Sequence, residues 1–114
     1  FRAAIALDPT ALPAYRCLFK HYNRKRQFDA AYQTGLDWLA EAARQAAISA
    51  DFRTWTAAPG PVLAALKAYA FIQLRRGNRD DSAAALDVLL RLDPEDGVGA
   101  SVVAALLPEV EALA

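Results

Sequence analysis

Two Asp-Pro pairs, Asp8-Pro9 and Asp93-Pro94, stand 85 positions apart in this 114-residue chain. Proline has no N–H, and its ring pushes the preceding residue out of helical backbone, so each pair marks a helix end. Similar punctuation recurs between them. Asn23 to Gln27 is a polar, basic turn, Pro59-Gly60-Pro61 is the strongest breaker in the chain, and Gly77-Asn78 is a helix C-terminal signal. The runs between these breaks carry apolar residues three and four apart, as Tyr15, Leu18, Phe19 and Tyr22 do. No run alternates with period two, β-branched residues are few, and alanine, leucine and arginine abound, so the chain reads as all-α.

The predicted helices follow from these breaks. A short one closes at Asp8, and a second runs from about Pro13 to Arg24. A third starts near Phe28 and continues as far as Ala50. A fourth spans about Val62 to Arg76. A fifth spans about Asp80, its expected N-cap, to Leu92. A last helix covers about Asp96 to Leu107 and stops before Pro108.

The composition is that of one globular domain: 55% hydrophobic and 23% charged residues, with no apolar stretch near the eighteen or more residues of a membrane span. Thirteen basic side chains offset thirteen acidic ones, which excludes a strongly basic nucleic-acid binder. A lone Cys17 makes no internal disulfide and points to a reducing compartment or to no redox requirement at all; a cytoplasmic setting is expected. The start at Phe1 and the absence of methionine read as an excised piece of a longer chain. The charge is divided along the chain. Residues 1–26 carry six cations against Asp8 alone, and residues 77–114 carry eight acids against Arg79 and Arg91. Such ends could attract a second copy into a weak homo-oligomer, or could be two solvated faces.

Period arithmetic organises the rest. Two periods of 34 residues fit between the Asp-Pro pairs with 17 residues over. Counting forward from Pro9 gives a unit over 12–45, and counting back from Pro94 gives one over 63–96. The surplus is then an insert, 46–62, where the helical pattern weakens. Tyr15, Leu18, Phe19 and Tyr22, then Phe28 and Ala31, stand in the first unit. Leu66, Tyr69, Ala70 and Gln73, then Gly77, Ser82, Leu86, Leu89, Leu92, Asp93 and Pro94, stand in the second. On these residues the chain resembles the tetratricopeptide repeat family, whose 34-residue unit reads W-x2-L-G-x2-Y, then A-x3-F, then P. In the first unit Phe19 replaces a small residue and Gly35 replaces an aromatic one, and in the second only Ala70 of the first four positions fits well.

The resemblance implies a right-handed α-α superhelix of two full repeats flanked by partial ones, and an adaptor, scaffold or co-chaperone-like module that binds a peptide or a partner surface in a concave groove. The family's inward face maps here onto Arg16, Lys20 and Asn23 in the first unit and onto Lys67 and Phe71 in the second, with Leu74 adding to an apolar floor. That set suits an extended acidic peptide with one apolar anchor; the competing reading is a solvated basic helix face. The alternative function is a regulatory helical-repeat segment of a bacterial transcription regulator, to which LDPTALPAYRCLFKHY is loosely similar. The bacterial assignment rests on richness in alanine and arginine.

The remaining features point away from chemistry. Cys17 and His21 are four apart on one helix but have no third Cys or His, so a small core cysteine is expected rather than a metal or nucleophile site. KHYNRKR, residues 20–26, mixes Tyr22 with basic side chains, but Tyr22 falls on a packing position. Phe52 and Trp55 in the insert are expected to pack inward rather than form an exposed hook. No phosphate-binding glycine loop, catalytic carboxylate pair or nucleophile motif appears, so neither enzyme activity nor a cofactor is expected.

Overall fold

The computed structural model describes residues 2–107, and among these every regular element is helical. The elements are α1 (Arg2–Leu7), α2 (Leu12–Arg24), α3 (Phe28–Gln45), a 3-10 turn (Phe52–Thr54), α4 (Gly60–Arg75), α5 (Arg79–Leu92) and α6 (Ala100–Ala104). Each helix packs chiefly on the next in sequence. In addition, α6 touches α4 and the 3-10 turn touches α5.

The helix ends follow from the sequence. Pro13 and Pro61 lie in the first turns of α2 and α4, where a missing N–H costs nothing. The turn after α2 and the turn after α4 are the same object built twice, 51 positions apart. Gln27 N–H donates to Tyr22 O at 2.9 Å and Asn78 N–H to Gln73 O at 2.8 Å. Lys25 N–H donates to His21 O at 3.2 Å and Arg76 N–H to Ile72 O at 3.0 Å. The left-handed residue is Arg26 (φ 58°) in the first turn and Gly77 (φ 83°) in the second. A third copy ends α3: Ala47 is left-handed (φ 56°), and Ile48 N–H reaches back to Ala43 O at 3.1 Å. These are Schellman closures, which satisfy the last carbonyls of a helix.

Four predicted ends shift, two of them on the last helix, which is Ala100–Ala104 rather than about 96–107. The third helix stops at Gln45 rather than near Ala50, because Ala47 turns left-handed and the chain then enters the 3-10 turn, capped by the Asp51 carboxylate on Arg53 N–H at 3.1 Å. The N-cap of α5 is Asn78, not Asp80, which lies inside the first turn where its negative charge interacts favourably with the helix dipole's positive end. The last helix starts at Ala100. Asp96 is itself left-handed (φ 58°), and the Asp93 carboxylate holds the turn by accepting Gly97 N–H at 2.9 Å and Val98 N–H at 3.0 Å.

The core centres on α4. From Val62 to Leu74 all but Ala64, Lys67 and Phe71 are buried, because α3, α5 and α6 surround this helix. Leu66, Ile72, Leu86 and Leu89 are fully enclosed, and each stabilises by about 1.5–3 kcal/mol relative to exposure. Small residues set the close crossings. Ala31, Ala65, Ala70 and Ala85 have no exposed surface, and buried Ser82 donates to Ala70 O at 2.7 Å across the α4–α5 contact. The two first-unit residues that depart from the expected pattern face each other. The Phe19 ring lies 3.6 Å from where a Cβ on Gly35 would sit, so an aromatic from α2 fills the space an aromatic from α3 would otherwise take. Phe19 also meets Trp38 edge-on.

The insert packs inward, as expected. Phe52 and Trp55 are each 4% exposed. The Phe52 ring meets that of Tyr69 at a tilt, centroids 5.5 Å apart, and the Trp55 indole N–H donates to Ser49 O at 2.6 Å.

Candidate partner-binding surface

On α2 the buried side is Tyr15, Leu18, Phe19 and Tyr22. Arg16, Lys20 and Arg24 are exposed and, at spacings of four, share one face. Cys17 is exposed too, which corrects the expectation of a core cysteine: one position from Leu18, it falls just outside the buried arc. His21 lies beside the Tyr22 ring at 5.7 Å. Among the described residues no three His, Cys, Asp or Glu side chains gather as they would around a metal ion.

Asn23 is half-buried at the edge of that face. Its side-chain carbonyl oxygen is shielded from solvent and has no hydrogen-bond partner. A buried acceptor left unpaired costs about 1–3 kcal/mol.

On α4 the half-open residues are Ala64, Lys67 and Phe71, followed by exposed Arg75. Spaced by three and four, they form one narrow strip on a helix covered elsewhere. Lys67 and Phe71, expected on the inward face, both lie on this strip. Leu74 does not: it is 6% exposed and belongs to the core, so it contributes nothing to a surface floor. Phe71 is the apolar part of the strip, and Arg75 roofs it. The Arg75 guanidinium carbon is 5.1 Å from the Phe71 ring centroid and 5.5 Å from that of Phe28, the first residue of α3. Lys67 points toward the turn entering α6. Its Nζ lies 3.2 Å from where a Cβ on Gly99 would stand, and its charge helps hold the Asp96 carboxyl below the usual range, after the hydrogen bonds from Ser101. The structure therefore brings Phe71 together with Arg75 and Phe28, and Arg16 with Lys20, while Lys67 faces the α6 side.

Sequence reasoning missed the ledge where the two matching turns meet. Arg26, Phe28, Asp29, Arg76 and Asn78 line a shallow depression of about 380 Å³. Arg76 is held there on every side. Its guanidinium lies 3.9 Å over the Tyr32 ring, donates to Asp29 at 3.1 Å and donates to the buried Gln73 carbonyl at 2.8 Å; Asn78 donates to the same oxygen at 3.0 Å. The signal was present in the 51-residue offset, which places Lys25 and Arg76 at equivalent turn positions.

Among the described residues no helix is long and apolar enough to cross a membrane. Comparison with protein-family models, curated proteins and solved structures finds no match to this chain. The helical class is thus a finding of the structure itself, and a reading of function rests on the surface described above.

Proposed function

We propose that this chain is a protein–protein interaction module, a helical-repeat scaffold of the tetratricopeptide kind, that takes an extended acidic segment of a partner along the open strip of α4 and the basic face of α2. The observation that carries the reading is the strip itself. A central helix with apolar residues on all sides is clothed by α3, α5 and α6 except along Ala64, Lys67, Phe71 and Arg75. An apolar ring under a guanidinium is suited to a ligand with an apolar anchor next to a carboxylate, because both groups are met within one helical turn. Arg16 and Lys20 supply further cations that engage no acid in the structure's ion pairs among the described residues.

The test is selection of short peptides from a displayed random library by the folded chain. A parallel selection uses the Arg16→Glu/Lys20→Glu/Lys67→Glu variant, and a third uses Phe71→Ala. Enrichment of acidic sequences bearing one apolar residue is expected, lost with the charge variant and weakened at least about tenfold in Kd by Phe71→Ala, the equivalent of about 1.4 kcal/mol. No enrichment, or enrichment indifferent to all four substitutions, would refute the reading.

A further inference from the structure

Among the described residues only three large apolar side chains stand exposed: Leu7 at 88%, Val102 at 67% and Leu90 at 48%. Their positions are not scattered. Leu7 ends α1, at one end of the helix order; Leu90 and Val102 lie on α5 and α6, at the other. The central helices α3 and α4 leave none. The helix α1 makes the point more strongly. Its sequence, RAAIAL, is apolar apart from Arg2, and it buries no residue. It docks on α2 through Ile5 and Arg2, whose guanidinium stacks on the Tyr22 ring and bonds its hydroxyl, while Ala3, Ala4, Ala6 and Leu7 face outward.

The charges sort the same way. The end built from α1 and α2 carries Arg2, Arg16, Lys20, Arg24, Lys25 and Arg26 against Asp8. The end built from α5, α6 and the turn between them carries Asp80, Asp81, Asp87, Asp93, Glu95 and Asp96 against Arg79 and Arg91. Around Leu90 on the outer side of α5, Asp80, Ala83 and Asp87 are all exposed at helical spacings. Each end therefore presents an apolar centre among charges of one sign, and the two signs are opposite. Like ends repel, while unlike ends match in both polarity and charge.

We propose that the partner for both ends is a second copy of this chain, joined head to tail, with the α1–α2 end of one copy on the α5–α6 end of the next. The contact is heterologous: the two surfaces are different, so each copy keeps one free head and one free tail, and association continues into short chains or closes into a ring. It shares the basic side of α2 with the peptide reading, but Leu7 and Val102 belong neither to the α4 strip nor to the Arg16–Lys20 face, so substitutions there test self-association separately.

Sedimentation velocity on the full chain, from micromolar to millimolar concentration, tests this with two variants. Leu7→Glu places an acid on the basic head, and Val102→Lys places a cation on the acidic tail; both sites are exposed, so circular dichroism should be unchanged. The wild-type chain is expected to associate with rising concentration, and association should weaken about tenfold or more between 20 and 500 mM NaCl as screening shortens to a few ångströms. Each variant alone should remain monomeric. An equimolar mixture should form dimers and stop there, because one variant keeps a working tail and the other a working head. A wild-type chain monomeric at millimolar concentration in low salt overturns the proposal. So does a result in which one variant self-associates like wild type, which marks a two-fold contact between like ends, and so does a mixture that stays monomeric.

Discussion

The turn that the chain builds three times offers a sharp test of backbone energetics. Its left-handed position is filled by Arg26, Ala47 and Gly77. An L-residue in that conformation costs roughly 1–2 kcal/mol relative to its right-handed form, because Cβ approaches the carbonyl oxygen. Glycine avoids that cost but gives the unfolded chain more freedom, worth about 0.4–1 kcal/mol in the opposite direction. At Gly77 an added Cβ would meet nothing within 4 Å, so packing does not enter the balance. Gly77→Ala should therefore destabilise by about 0.5–1 kcal/mol. Ala47→Gly should stabilise by a similar amount, and the double variant should return close to wild type, since the turns close different helices. Neither change alters charge. Urea unfolding followed by circular dichroism measures all three, with a common slope confirming that the same surface is exposed. A Gly77→Ala chain as stable as wild type, or an Ala47→Gly chain less stable, would show that strain at these closures is relieved by something other than the backbone angle.

Further expectations concern the core and its acids. Leu66→Ala, at a fully enclosed site on α4, should cost about 2–5 kcal/mol in the same assay. Gly35→Phe should overpack against the Phe19 ring and cost about 1–3 kcal/mol, and Phe19→Ala about 3–5 kcal/mol; the Phe19→Ala/Gly35→Phe pair should cost clearly less than the sum, a coupling that a thermodynamic cycle reads directly. The Glu41 carboxyl is lowered to about 2, first by the hydrogen bonds from Arg44 and then by Gln45. A lowered carboxyl favours the ionised folded state. Its contribution is therefore present above about pH 4.5 and lost as pH falls through about 2. NMR titration should place the midpoint near 2, and Arg44→Met should move it up toward the ordinary value.

The helical class, the number of helices and most of their ends could be read from proline, glycine and spacing, because those signals act locally. The burial of Phe52 and Trp55 was readable for a related reason: two large rings three positions apart near a breaker have little to gain from water. The ends that shifted were decided elsewhere. Ala47 and Asp96 take left-handed backbone although neither residue prefers it; hydrogen bonds from Ile48 to Ala43 and from Gly97 and Val98 to the Asp93 carboxylate close these turns, and composition alone does not announce them. That Lys67 and Phe71 share one side of α4 was legible from their spacing of four. The direction of Lys67 was not, because it depends on where the turn carrying Asp96 and Gly99 comes to rest. Arg75 on Phe71 and Phe28 was equally hidden: it joins residues from two helices that only packing makes neighbours.

The enclosure of α4 also bears on how the chain reaches its fold. Apart from the narrow strip of Ala64, Lys67, Phe71 and Arg75, a helix of such apolar breadth has no side suited to solvent, so in isolation it would seek any hydrophobic surface on offer. During synthesis it emerges after α3 and before α5, and α3 already supplies one wall. Contacts between successive helices demand little loop closure, which favours growth by accretion around α4 over a search among distant segments. Amide exchange should retain that order as a gradient of protection, deepest at Leu66 and Ile72 and shallowest in α1 and α6, where the assembled chain opens first.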